Sequence, residues 1–88
     1  MKQIKLSGRE LAVLRAIDYA VGSTGTEIQE KTSIEGVDVA EILNALCEIG
    51  YAEVYPLVDP VTSANYAASR FEINPSYALQ LKEAMRRK

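Results

Sequence analysis

The sequence predicts a small, mainly helical domain closed by a short antiparallel β hairpin, in the order helix, short helix, turn, longer helix, strand, loop, strand, final helix. Three observations carry this expectation. Two Ser/Thr-x-x-Glu capping boxes, at Ser7 to Glu10 and Thr24 to Glu27, each precede aliphatic residues. Val39, Ile42, Leu43 and Leu46 recur on one helical face, and Gly50 ends the run. Two segments rich in strand formers, 51–55 and 70–73, flank a connection containing Pro56 and Pro60.

The elements follow from local chemistry. In the first box the Ser7 oxygen and the Glu10 carboxylate satisfy free amides at a helix start. Leu11, Leu14, Ile17 and Val21, with Val13 and Ala20 beside them, extend the apolar stripe to Gly22, predicting helix one over about 7–21. The second box opens a short helix two, about 25–32, anchored by Ile28, with Thr32 and Ile34 as later contacts. Glu27 and Lys31, four apart, read as a solvated pair worth ~0.2–0.5 kcal/mol. After a turn at 33–36, helix three runs over about 36–49, with Cys47 a small core residue beside its stripe. The hairpin occupies about 51–74, and its 56–69 connection exceeds the two to five residues of an ordinary hairpin loop. Asn74-Pro75-Ser76 then breaks the strand and starts a last helix, about 75–86, through Tyr77, Leu79, Leu81, Ala84 and Met85. That helix packs on helix one or pairs with a second copy in a homodimer, and its shortness favours the first.

Composition narrows the function. At 88 residues there is room for a single domain, 1–88, and 48% hydrophobic with 25% charged residues is an ordinary globular balance. Histidine is absent and Cys47 is the sole cysteine, so the commonest general base, a disulfide and a thiolate zinc site all lack their parts. The five glycines never cluster into a phosphate loop. Asp38 and Glu41 share a helix face, but paired carboxylates without a pocket or partner cation read as surface charge. The expectation is a non-catalytic protein with no metal and no cofactor. No apolar run approaches a membrane span, and Ser7-Gly8-Arg9-Glu10 interrupts any signal-like start, so the expected compartment is the cytoplasm.

Net charge is −2, unevenly distributed. Residues 26–60 hold Lys31 against eight carboxylates, a net −7, whereas 1–25 and 61–88 are basic at +2 and +3.

The stretch from Thr24 to Val54, with its cap, Glu27 and Ile28, its short turn, the spacing of Val39, Ile42, Leu43 and Leu46, and Gly50-Tyr51 opening a strand, resembles the winged helix-turn-helix family. The resemblance extends from about Ser7 to Met85. It implies a cytoplasmic DNA-binding transcription regulator of the small prokaryotic type, whose third helix enters the major groove of double-stranded DNA and whose hairpin is a wing. Carried onto this chain, the groove-facing positions are Glu35, Gly36, Val37, Asp38, Glu41, Asn44 and Ala45. Arg9, Lys31, Arg70, Arg86 and Arg87 are the candidate phosphate contacts.

The electrostatics set a second expectation beside the first. Duplex affinity rests largely on Lys and Arg neutralising phosphates, yet the reading face offers three carboxylates and no cation. Asn44 suits adenine, and carboxylates accept from cytosine. Equally, Glu35 and Asp38 favour the positive end of helix three. The loop is apolar at Leu57, Val58, Val61 and Tyr66, a composition that marks either a protein partner or a cover folded onto the core. The alternative function is therefore a module for protein association, with an acidic third helix and an apolar wing.

Overall fold

The computed structural model describes residues 6–58 and 60–86. Four helices and a three-stranded antiparallel sheet share one core. In chain order they are α1 (Gly8–Ala16), β1 (Ser23–Thr24), α2 (Gly25–Thr32), α3 (Gly36–Ile49), β2 (Ala52–Tyr55), β3 (Arg70–Ile73) and α4 (Ala78–Arg86), with a 3₁₀ turn at Pro75–Tyr77 leading into α4.

Both capping boxes form reciprocally. The Ser7 amide donates to Glu10 at 2.8 Å and the Glu10 amide to Ser7 Oγ at 3.2 Å; Thr24 and Glu27 repeat the exchange at 2.9 and 3.2 Å.

Helix one ends at Ala16, well short of the predicted 21. The reason is Asp18. Its Oδ1 accepts the amides of Ala20 at 2.7 Å and Val21 at 3.1 Å, a local turn that competes with helical bonding. Those two hydrogen bonds hold the Asp18 carboxyl below its ordinary value. Buried Ser23 completes the stop by accepting the Asp18 amide at 3.0 Å and donating to the Ala16 carbonyl at 3.2 Å. Leu11, Val13, Leu14 and Ile17 enter the core as expected, but Val21 is 62% exposed and Ala20 is exposed.

The sheet has a strand that the sequence reading lacked. β1 is two residues long, pairing Ser23 with Phe71 and Thr24 with Arg70, so the order is β1-β3-β2 rather than a bare hairpin. Between β2 and β3, Ala52 faces Ile73 and Val54 faces Phe71 on the buried side. Glu53 stands opposite Glu72 and Tyr55 opposite Arg70 on the other.

α3 contributes Val39, Leu43 and Leu46 to the core, and Gly50 closes it in the left-handed conformation at φ 101°. Around these gather Ile28 from α2, Phe71 and Leu81, all fully buried. Leu81 seats α4 on its own chain. Tyr77 meets the Tyr51 ring edge-on at 5.1 Å, and Asn74 Nδ2 donates to the Gly50 carbonyl at 2.7 Å, so the end of α3 and the start of α4 are tied together. No described helix is long and apolar enough to cross a membrane.

Candidate functional site

Outward-facing residues of α3 and the 56–69 connection decide what this surface can meet. Of the seven expected groove-facing positions, four are engaged or partly covered. Asp38 forms an ion pair with Arg9 at 3.4 Å, joining the first turns of α3 and α1. Asn44 Oδ1 accepts the Val61 amide at 2.9 Å, and its Nδ2 donates to Glu48 at 3.4 Å. Gly36 lies against the Tyr66 hydroxyl, so a Cβ there would collide with it. Ala45 is half-buried. Glu35, Val37 and Glu41 stay exposed, two carboxylates and a valine.

The connection is not a free wing. Its amides and carbonyls fasten it to α2 and α3, because a loop lying over helices must find partners for its own backbone. Gly25 donates its amide to the Ser69 carbonyl at 3.0 Å, and Thr26 donates both its amide and its hydroxyl to Ala67, at 3.3 and 3.2 Å. Asn65 organises the interior of the loop, accepting from the Thr62 amide at 2.8 Å and donating to the Pro60 carbonyl at 3.1 Å. Tyr66 fits between the starts of α2 and α3, where glycines at 25 and 36 leave room for it. The four apolar loop candidates therefore separate. Val61 is buried and Tyr66 is seated between two helices, which corrects their expected role as partner contacts. Val58 is half-buried, and Leu57 is 84% exposed.

The candidate cations are also drawn into the fold. Lys31 Nζ donates to the Ala16 carbonyl at 3.3 Å, and Arg70 Nη1 donates to the Val21 carbonyl at 2.6 Å. Lys82 lies 5.0 Å from the Tyr19 ring centre. Lys31, Arg70 and Lys82 thus converge on the turn after α1, a grouping the sequence did not suggest because their partners are backbone carbonyls and a tyrosine face. Arg86 is exposed beside Leu79 and Lys82 on α4, and Arg87 lies outside the described residues.

A groove of about 460 Å³ runs between the second half of α3 and β2. Asn44, Cys47 and Glu48 form one wall, the whole of β2 another, and Leu57 with Val58 one end. Burial and then the Glu53 charge push the Cys47 thiol up to about 11, so it is protonated and unreactive at neutral pH. The Tyr55 hydroxyl donates to Glu53 at 3.1 Å, and that bond raises the phenol above its ordinary value, with the Glu53 and Glu72 charges adding to it. No single residue type in 44–58 signals this groove; α3 and β2 create it by their packing.

Among the described residues no group of three or more Cys, Asp or Glu is placed to hold a metal ion. Comparison with protein-family models, with curated proteins and with solved structures gives no match.

Proposed function

We propose that this chain is a non-catalytic winged helix-turn-helix module that works by binding a protein partner with a basic surface. The element order supports the family part of the reading: three helices, a strand, a long connection, a second strand and a final helix follow in the order the resemblance implies, with the two-residue β1 added between α1 and α2. The observation that carries the protein-binding part is the outward face of α3. It presents Glu41 beside Val37, while Asn44 and the first amides of α2, groups that otherwise meet bases and phosphates, are bonded to the 56–69 connection. A duplex placed there would bring phosphates against carboxylates, whereas a basic protein surface would be complementary.

The test is a pair of titrations followed by fluorescence anisotropy. A labelled mixed-sequence duplex is expected to show no binding at low ionic strength. A labelled oligolysine peptide is expected to bind with salt sensitivity, and Glu41→Gln is expected to weaken it more than Glu83→Gln, a charge-matched change on α4. Equal effects of the two variants would reduce the attraction to net charge and refute the reading.

The second reading is a DNA-binding transcription regulator, favoured by the same element order and by Arg9, on α1, which reaches Asp38 in the first turn of α3. Duplex binding that falls steeply with salt would establish it, and charge removal at Arg9, Lys31, Arg70, Arg86 and Arg87 would then locate the phosphate contacts.

A further inference from the structure

We propose that the groove between α3 and β2 takes an extended peptide that adds to the sheet as a fourth strand, with an apolar residue against Leu57 and Val58 and a Lys or Arg between Glu48 and Glu53. The proposal deepens the protein-binding reading and rests on it.

Three observations converge on this groove. The first is its path. All four residues of β2 line it, although successive strand residues point to opposite faces, so the groove follows the edge of the strand rather than one face of the sheet. The second is that this edge is open among the described residues. With the order β1-β3-β2, strand β2 pairs with β3 alone, and among the described residues no further hydrogen bond reaches the backbone of 52–55. An uncovered row of amides and carbonyls is the template on which an extended peptide builds main-chain bonds.

The third is the chemistry of the walls. Leu57 is 84% exposed beside the half-buried Val58 and Cys47, an apolar patch that a side chain of the incoming strand would bury. Glu48 and Glu53 line the same groove, and Glu72 stands directly across the strand pair from Glu53. Like charges opposed across two strands destabilise them, and a cation from a partner relieves that repulsion. The Glu53 carboxylate is felt by both neighbours: it adds to burial in pushing the Cys47 thiol up, and its hydrogen bond and charge push the Tyr55 phenol up. An acidic or wholly apolar segment would leave these carboxylates uncompensated. A helix would leave the strand edge unpaired. An extended segment alternating apolar and basic residues satisfies both features.

The experiment pans a phage-displayed library of random nonapeptides against the whole 88-residue chain, then titrates the enriched synthetic peptides. The expected enrichment alternates apolar residues with Lys or Arg. Titration into ¹⁵N-labelled protein is expected to shift the amides of 52–55, 47–48 and 57–58. Glu48→Lys with Glu53→Lys is expected to weaken binding about tenfold or more, and Leu57→Asp, at an exposed position that leaves the core intact, to weaken it independently. A peptide proline or N-methyl group at the central position is expected to abolish binding, since it removes a donor to the strand edge. No saturable enriched peptide, or shifts that fall elsewhere, would overturn the proposal. Peptides that are basic but lose affinity with Glu41→Gln, and not with the groove variants, would overturn it while leaving the broader protein-binding reading standing. Duplex binding without peptide binding would remove both.

Discussion

The side chain of Asn44, on α3, accepts the amide of Val61, in the connection between β2 and β3, at 2.9 Å. The bond lets the loop cross the helix and drop Val61 into the core, because a loop amide turned toward a helix needs an acceptor there. A residue whose type and position suit base reading is thereby committed to holding the chain's own loop.

Asn44→Ala would strand that amide. We expect a loss of about 1–3 kcal/mol in urea unfolding, the range for leaving a partly buried donor without its acceptor. Hydrogen exchange at Val61 should quicken more than at Phe71, whose amide belongs to the sheet. Unchanged exchange at Val61 would show that the bond does not hold the loop.

Tyr66 gives a second, separable prediction. A Cβ at Gly25 would meet the Tyr66 backbone carbonyl, whereas one at Gly36 would meet the far end of its side chain, the hydroxyl. Both Gly→Ala changes should destabilise, by about 1–3 kcal/mol each. Adding Tyr66→Phe should recover much of the Gly36→Ala loss and little of the Gly25→Ala loss. A double-mutant cycle reads the difference as coupling at one glycine and near-additivity at the other.

The Asp18 turn makes stability depend on acid. The folded carboxyl sits below its ordinary 3.8, so its contribution is present above that value and is lost as pH falls through the folded one. Asp18→Asn retains an acceptor for the Ala20 and Val21 amides without the titrating charge. Thermal melts from pH 6 to 2 should show a shallower decline for Asp18→Asn than for the parent below pH 4. Parallel curves would remove Asp18 from the acid response.

Cys47 should be a slow thiol. With the folded group near 11, its thiolate fraction at pH 8 is on the order of a hundredfold below that of an ordinary cysteine, so alkylation by iodoacetamide should be slower by about that factor than in the urea-unfolded chain. The raised value has a stability consequence of defined sign. Its contribution is complete below the ordinary thiol value and disappears as pH rises toward 11. Alkylation at equal rates in folded and unfolded protein would contradict the burial.

Elements specified by neighbouring residues were legible in the sequence, and those specified by distant ones were not. The two capping boxes and the α3 stripe lie within a few residues of one another, and α2 and α3 span Gly25–Thr32 and Gly36–Ile49, where those signals put them. Helix one was overextended because Val21 continues the apolar spacing, while the Asp18 side chain offers the backbone a competing set of bonds that periodicity does not register. β1 was invisible because two residues between Gly22 and Gly25 show no alternation, and their strand character comes from Phe71 and Arg70. The apolar loop residues look alike in the sequence, yet Val61 is buried, Tyr66 is seated between two helices and Leu57 is exposed. Their separation depends on Asn44 and on two glycines in other elements.

The short strand β1 also has a consequence for the order in which the chain settles during synthesis. Arg70 reaches back to the Val21 carbonyl across 49 positions, and Thr26 reaches forward to Ala67 across 41. A nascent chain emerging to residue 60 holds α1, α2 and α3 and the local Asp18 and Ser23 bonds of the turn at 17–22, but it lacks Arg70 and the β3 residues that pair with β1. The turn is therefore expected to form early in outline and to lose its sensitivity to proteases on the ribosome only when β3 has emerged and paired with β1.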